Sequence, residues 1–102
     1  LYDGAARFLH QAAVTMRAGD ADTAHERLRR AEAILEHLLT TLDMTQGEIA
    51  FRLEAIYQFC RRMLAQARVR QDPEEIDQVR ALLGELRDAW AQAASRPVVA
   101  PA

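Results

Sequence analysis

Apolar residues recur with the period of an α-helix through four long segments of this chain, and this pattern constrains the fold more than any other feature. The first expected helix covers about residues 1–17, and the second begins at Asp20 or Asp22 and ends at about residue 42. The third covers about residues 46–70 and the fourth about residues 73–94. Long amphipathic helices with short connections lie antiparallel to their neighbours. The sequence therefore predicts an all-α fold, an antiparallel up-down four-helix bundle. We expect one domain over residues 1–94 and a flexible C-terminal tail over 95–102, which has no period and contains two prolines.

Start signals support two of these boundaries. The clearest precedes the fourth helix, where Asp72 can cap, Pro73 can occupy the first turn and Glu75 stands at the capping-box position. Before the third helix, either Asp43 or Thr45 is expected to cap.

The apolar stripe of each helix marks the expected core. These stripes are wider than a coiled-coil seam, so each helix is expected to touch two neighbours. The stripe residues are Leu1, Tyr2, Ala5, Phe8, Leu9, Ala12 and Met16; Ala24, Leu28, Ala31, Leu35, Leu38 and Leu42; Ile49, Leu53, Ile56, Tyr57, Cys60, Met63, Leu64 and Ala67; and Ile76, Val79, Leu83, Leu86, Trp90 and Ala93.

A few apolar residues do not fit these stripes. Val14 and Phe51 lie outside them, whereas Phe59, Leu82 and Ala89 lie at their edges. Single exposed apolar residues are common on soluble proteins, and that is one interpretation. The other is that the bundle has apolar rims that receive amphipathic helices from a partner.

Composition and charge exclude several classes of function. The formal net charge is −2 and the two signs are interspersed, which argues against a nucleic-acid partner. No stretch approaches the roughly 20 apolar residues of a membrane span, so no membrane insertion is expected. The single cysteine, Cys60, suits a reducing compartment, and the chain is expected in the cytoplasm.

The histidines, glutamates and cysteine of this chain do not form the motifs that catalysis or metal binding would need. His10, His25 and His37 form no His-x-x-x-His or Glu-x-x-His motif. The glutamates are expected to project to solvent rather than into the bundle, as a di-iron site would require; they are Glu26, Glu32, Glu36, Glu54 and Glu85. Cys60 lies on an apolar stripe and is expected to be a small core residue. We therefore expect no enzyme, no metal and no cofactor.

Four stretches of the chain resemble one known family. The opening LYDGAARFL, the LLTTLDM at the end of the second helix, IYQFCRRMLAQA in the third and VRALLGELRDAW in the fourth are similar to the flagellar secretion chaperone FliS. The likeness runs from Leu1 to about Ala93, with the motifs in the family's order. LYDGA and ELRDAW together are specific, whereas either alone is weak.

The resemblance implies both a fold and a function. It implies a helical bundle in the cytoplasm that binds the disordered C-terminal segment of flagellin in hydrophobic grooves. Such a chaperone prevents premature polymerisation of flagellin and aids its delivery to the flagellar type III export apparatus, without cofactor or catalysis. The resemblance leaves open a second contact with a component of the export gate.

The chain departs from the family at two places. Arg68 stands where family members usually carry an asparagine. Family members also have an N-terminal arm and further helical turns before LYDGA, so the first helix is expected to be the truncated second half of a longer one. Gly4 lies inside this helix, and a close backbone approach is expected there, either by a neighbouring helix of the bundle or by the family's N-terminal arm.

The candidate partner-binding residues are apolar positions on three helices. They are Tyr2, Ala6, Leu9, Ala13 and Met16 on the first helix, with Leu39, Leu42, Phe51 and Phe59 on the second and third. Helical periodicity does not separate a groove wall from the core. An alternative function is a structural bundle whose apolar rims form a homodimer or a swapped oligomer, which a truncated first helix would favour.

Overall fold

The computed structural model describes residues 1–95, with side chains over residues 1–92. Within these residues the fold has four α-helices and one 3₁₀ turn, which precedes the third helix; they are α1 (Tyr2–Arg17), α2 (Ala21–Thr40), the turn Met44–Gln46, α3 (Glu48–Arg70) and α4 (Pro73–Ser95). The predicted all-α four-helix bundle is confirmed. The predicted tail lies outside the described residues, except for Ser95, which still belongs to α4.

The four helices form a ring in which consecutive helices pack on each other and α4 packs on α1. α1 contacts α2 and α4, and α3 contacts the same two helices from the opposite side. Because consecutive helices are neighbours with short connections, the chain runs up and down through the bundle. One end of the bundle therefore holds the start of α1, the end of α2, the start of α3 and the end of α4.

Polar contacts fix how α1 and α4 align. The Arg87 guanidinium contacts the Asp3 carboxylate at 2.7 Å at one end, and Arg17 contacts Asp77 at 2.7 Å at the other. Between them Arg80 donates to Nδ1 of His10 at 2.6 Å. Numbers rise along α1 while they fall along α4, so the two helices are antiparallel.

The second helix is shorter than expected. Asp20 caps it by accepting a hydrogen bond from the backbone N–H of Thr23 at 3.2 Å. It ends at Thr40, two residues before the predicted end at Leu42. The hydroxyls of Thr40 and Thr41 donate to the carbonyl of His37 at 3.0 and 2.8 Å, which occupies a carbonyl at the helix terminus.

The third helix begins at Glu48, two residues later than expected, because the connection contains its own turn. Asp43 accepts from the backbone N–H of Thr45 at 3.0 Å and so caps the 3₁₀ turn rather than α3. Gly47 follows with φ 77°, a conformation that side chains rarely adopt, and it separates the turn from α3. The expected cap by Asp43 or Thr45 was therefore wrong for this helix.

The start of α4 follows the sequence signal. The Asp72 carboxylate accepts from the backbone N–H of Glu74 at 3.0 Å, and Pro73 is the first helical residue. The Glu75 side chain turns to Arg70 on the preceding helix, at 3.3 Å, and only 8% of Glu75 is exposed. A single carboxylate thus links α3 to α4.

The core runs along the bundle axis and is built from the predicted stripes. Its largest fully buried side chains come from all four helices: Leu9, Leu28, Leu35, Leu64, Ile76, Leu83, Val79 and Cys60. Among the stripe residues whose side chains the structure describes, three that were expected in the core are exposed: Leu1 at 64%, Ile49 at 52% and Trp90 at 47%. All three lie at the same end of the bundle, and the side chain of Ala93, also expected in the core, lies outside the described part.

Two further expectations are corrected by the contacts of α2. Glu32 does not project freely to solvent, because its carboxylate meets the Arg68 guanidinium of α3 at 2.7 Å with both side chains about 70% buried. A methyl group added at Gly4 would meet Cδ1 of Ile34 at 3.6 Å, an ordinary contact. The packing of α1 on α2 therefore does not require a glycine at this position.

Candidate functional site

An apolar cleft lies at the end of the bundle where α1 begins. We call it the end cleft, and it consists of two adjoining hollows of about 360 and 220 Å³. The larger is lined by Tyr2, Leu38, Thr41, Leu42, Asp43, Gln46, Ile49, Ala50, Leu53, Tyr57 and Trp90. The smaller is lined by Ile49, Leu53, Leu86, Ala89 and Trp90. The shared residues make the two hollows one continuous surface.

The alignment of α1 with α4 shows which residues lie at this end of the bundle. Asp3, near the start of α1, lies level with Arg87. Trp90 is three residues further along α4, and it lines the larger hollow together with Tyr2 of α1. Ile49 stands close to Trp90 at the start of α3, and both line each hollow. Stripe residues of α3 and α4 are thus exposed beside each other at this end of the bundle.

Two tyrosines join α1 to α3 at the cleft. The hydroxyl groups of Tyr2 and Tyr57 are hydrogen-bonded to each other. Only 3% of Tyr57 is exposed, and burial together with this hydrogen bond raises the pKa of its phenol above the usual value. Both hydroxyls thus have a partner within the bundle, and the rings contribute apolar surface to the cleft.

The rim of the end cleft is polar, and its polar groups are already hydrogen-bonded to one another. The Asp43 carboxylate accepts from the backbone N–H and hydroxyl of Thr45 and from the Gln46 amide, at 3.0, 2.6 and 3.2 Å. These hydrogen bonds, the Thr45 hydroxyl above all, lower the pKa of Asp43 below its usual value. The 3₁₀ turn is thereby held as one wall. What the cleft offers to a ligand is mainly apolar surface.

An apolar seam along α3 and α4 continues from the smaller hollow. Ile56 and Met63 on α3, with Leu82 and Leu86 on α4, are half-buried and pack against the core from outside. Leu86 belongs to both the seam and the cleft. The two features together form an apolar path from the end of the bundle along its α3–α4 side.

The predicted partner-binding residues fall into three groups. Tyr2 and Leu42 line the end cleft, and Leu39 is half-buried one turn earlier on α2. Ala6 is half-buried on α1. These four have surface that a partner can reach.

A second group of the predicted residues is buried in the core, and a third group is exposed on α3. Leu9, Ala13 and Met16 are 0%, 1% and 8% exposed and belong to the core cluster. Phe51 and Phe59 are 60% and 45% exposed on α3. Neither phenylalanine lines the end cleft.

Reasoning from the sequence missed the residues that dominate the cleft. Ile49, Leu86 and Trp90 were expected in the core because they continue the apolar stripes of their helices. The apolar periodicity carries no signal that could have identified them. Residues of one stripe share a face of their helix, and the stripe does not tell which of them a neighbouring helix covers.

Reactive and metal-binding side chains are dispersed through the described part of the chain. Cys60 is fully buried, and burial raises the pKa of its thiol to about 11. His10 contacts Arg80 and His25 contacts Gln71, on different sides of the bundle. Over the residues that the structure covers, no three His, Cys, Asp or Glu side chains could jointly hold a metal ion. None of the described helices has the length and apolar character to cross a membrane.

The fold and the cleft define the class of protein, a small helical binding module with an open apolar surface. Comparison with known proteins identifies the family. The model of the family described as flagellar protein FliS matches residues 1–97. The chain belongs to this family.

Similar proteins from several bacteria carry the name of this family. The flagellar secretion chaperone FliS of Salmonella typhimurium strain LT2 is 36% identical over 94 residues, covering 90% of this chain and 70% of that protein. The FliS of Bacillus subtilis strain 168 is 31% identical over 93 residues, covering 91% and 69%. The Vibrio cholerae FliS is 33% identical over 93 residues, covering 90% and 68%. FliS is a family of flagellar secretion chaperones and not of enzymes, which confirms two predictions from the sequence.

Proposed function

We propose that this chain is a cytoplasmic export chaperone that binds the disordered C-terminal segment of flagellin. The segment would fold as an amphipathic helix into the end cleft and continue along the α3–α4 seam. While it is bound there, its apolar face is unavailable to other flagellin molecules. Polymerisation before export is thereby prevented, and the complex can be delivered to the flagellar export apparatus.

One observation supports this proposal above the others. Ile49 and Trp90 have the stripe positions of core residues, yet each is about half exposed beside the other at the end of the bundle. An apolar surface of this kind is a common mark of a protein-binding site. A helix laid between α3 and α4 would bury both side chains.

The energetics favour an extended contact. A segment that orders on binding loses conformational entropy, which costs about 2–5 kcal/mol or more of the interaction energy. A cleft at one end of a small bundle offers limited area by itself. The apolar seam through Ile56, Met63 and Leu82 lengthens the surface on which a wrapped segment can bury its side chains.

Isothermal titration calorimetry of the full chain with the C-terminal segment of the cognate flagellin tests the proposal. We expect saturable binding of one segment per chain, with a negative heat-capacity change from apolar burial. Ile49→Ala and Trp90→Ala should each weaken binding by about tenfold or more, as residues at the centre of an interface do. Both side chains are half exposed, so the variants should remain folded.

The matched control is Val14→Ala, which removes a similarly exposed apolar side chain from α1, outside the end cleft. This variant should bind the segment as the unchanged protein does. Absence of binding at tens of micromolar would disprove the proposed function. Equal loss in all three variants would show that the end cleft is not the site.

A further inference from the structure

The end of the bundle that holds the end cleft also holds the net negative charge of the chain. This end consists of residues 1–5, 38–53 and 86–95, which include four acidic and two basic residues. The rest of the chain has 11 residues of each sign, so their charges balance. The excess of negative charge therefore surrounds the apolar surface of the end cleft.

The two basic residues at this end are already paired. The Arg87 guanidinium contacts the carboxylates of Asp3 at 2.7 Å and Asp88 at 3.2 Å. Arg52 contacts the carboxylate of Glu48 at 2.7 Å. Both cations at this end thus neutralise carboxylates outside the cleft lining, and the fourth acidic residue has no cation beside it.

This fourth residue is Asp43, and among the described residues it is the only charged one that lines either hollow of the end cleft. Its carboxylate accepts three hydrogen bonds, all from uncharged groups of Thr45 and Gln46. These bonds lower its pKa, so it is ionised at neutral pH, but they bring no positive charge. An uncompensated negative charge therefore stands at the edge of an apolar cleft.

The same hydrogen bonds hold the Asp43 carboxylate in place without saturating it. A carboxylate has about four acceptor sites, so three hydrogen bonds leave one for a further donor. Asp43 is exposed, and this site can be reached from solvent. A cation on a bound segment would find a carboxylate that is already oriented.

We propose that Asp43 is a specificity-determining residue of the end cleft, and that it selects an amphipathic segment with a lysine or arginine beside its apolar face. The apolar face would fill the two hollows while the cation meets the carboxylate at the rim. A segment with an acidic residue at the same place is disfavoured, because like charges repel. The inference rests on the proposed function for the identity of the segment, and it adds the charge that the segment must carry.

The expected effect is one of selectivity more than of total affinity. Because Asp43 is exposed, solvent and salt screen its contact with a cation. Charges at the rim of an interface mainly change the rate of association, its salt dependence and the choice of partner. Apolar burial in the hollows supplies the rest of the binding energy.

Fluorescence titration of Trp90 with three designed peptides without tryptophan tests the proposal on the full chain. Each peptide is a four-turn amphipathic helix with leucine and alanine on one face, and its flanks carry lysine, glutamine or glutamate. We expect the lysine peptide to bind about three- to tenfold more tightly than the glutamine peptide and the glutamate peptide to bind most weakly. The differences should shrink with added salt.

Variants of the chain separate the charge of Asp43 from its role in the turn. Asp43→Asn removes the charge and keeps an amide oxygen that can accept from Thr45, and it should reduce the preference for lysine over glutamate to about twofold or less. Circular dichroism checks that it is folded. If it is not, Asp43→Ser, which keeps a capping hydroxyl, takes its place.

Two control variants should keep the preference for lysine. Thr45→Ala removes a hydrogen bond from the turn but leaves the charge of Asp43. Asp22→Asn removes an exposed carboxylate at the start of α2, which lies at the opposite end of the bundle. Loss of the preference in Thr45→Ala would show that Asp43 acts only by holding the turn, and loss in Asp22→Asn would show that only the overall charge matters.

Two further results would overturn the proposal. One is equal affinity of the unchanged protein for the lysine and glutamate peptides, and the other is no binding of the lysine peptide at tens of micromolar. Calorimetry with the flagellin segment separates this proposal from the proposed function. Binding of that segment without any preference for lysine peptides removes only the present proposal. A preference that depends on Asp43, without binding of flagellin, removes only the proposed function.

Discussion

Glycines in this chain occupy positions with different structural demands. Gly47 has φ 77° between the 3₁₀ turn and α3, where a side chain would be strained. Gly4 and Gly84 lie inside α1 and α4 without a positive φ. An added methyl would contact Ile34 at 3.6 Å at Gly4 and would meet no atom within 4 Å at Gly84. Of these three positions, only that of Gly47 therefore requires a glycine.

The first prediction follows from this difference. Gly4→Ala and Gly84→Ala should each increase the free energy of unfolding by about 0.5–1 kcal/mol, because alanine has the higher helix propensity and restricts the unfolded chain. Gly47→Ala should decrease it by about 1 kcal/mol or more. Urea denaturation followed by circular dichroism measures all three. A loss of stability in Gly84→Ala would contradict this prediction, because it would mean that the added methyl group meets a neighbouring atom, whereas the structure has none within 4 Å.

The ionisation of Cys60 is coupled to its burial in the core. Its side chain is fully buried, and burial raises the pKa of the thiol from 9.0 to about 11. The folded protein therefore holds the thiol proton more tightly than the unfolded chain does. This contribution to stability is complete below pH 9 and is lost as the pH rises towards 11.

The second prediction concerns this pH range. The difference in unfolding free energy between the unchanged protein and Cys60→Ala should be constant below pH 9 and should decrease above it. In parallel, the thiol should react with a disulfide reagent at neutral pH only after the protein has been unfolded. Rapid reaction in the folded state would show that Cys60 is more accessible than its burial implies.

At the scale of helices, the stripes and most boundaries could be predicted from the sequence. α4 begins at Pro73 as the Asp72 signal indicates, because cap and proline act locally. The starts of α1 and α2 were also close to expectation. The junction between α2 and α3 was not, because Asp43 could serve either the 3₁₀ turn or the helix and only the path of the chain decides between them.

The contact between Glu32 of α2 and Arg68 of α3 could not be predicted from the sequence either. Glu32 and Arg68 are 36 positions apart, and each alone resembles an ordinary surface charge. In the bundle their side chains meet at 2.7 Å and are 28% and 30% exposed. Each charge reduces the cost of burying the other, so removing one leaves the second partly desolvated and unpaired.

The third prediction tests this pair by a double-mutant cycle. Glu32→Gln and Arg68→Asn should each destabilise the protein, and the double variant should lose less than the sum, with a coupling of about 1–2 kcal/mol, between typical exposed and buried pairs. The exposed Glu48–Arg52 pair within α3 is the control and should show a smaller coupling. Equal coupling in the two pairs would mean that burial does not strengthen the contact between α2 and α3.

At the scale of the whole molecule, the same apolar periodicity serves both the core and the cleft. Leu83 and Trp90 are seven residues apart on one face of α4, yet Leu83 is fully buried and Trp90 is 47% exposed. The difference lies in their level along the bundle, since Trp90 lines both hollows of the end cleft and Leu83 lies in the core cluster. Sequence periodicity gives the face of a residue, but the neighbour at its level depends on how all four helices are aligned. For this reason the fold could be predicted and the cleft could not.

The most direct test of the central claim uses Trp90 itself. It is the single tryptophan of the chain and lines both hollows of the end cleft, so its fluorescence reports on that surface alone. A tryptophan-free C-terminal segment of the cognate flagellin should shift the emission to shorter wavelength and saturate at one segment per chain, because binding removes water from the indole. Binding detected by calorimetry without any change in Trp90 emission would contradict the account, since the segment would then occupy another part of the bundle.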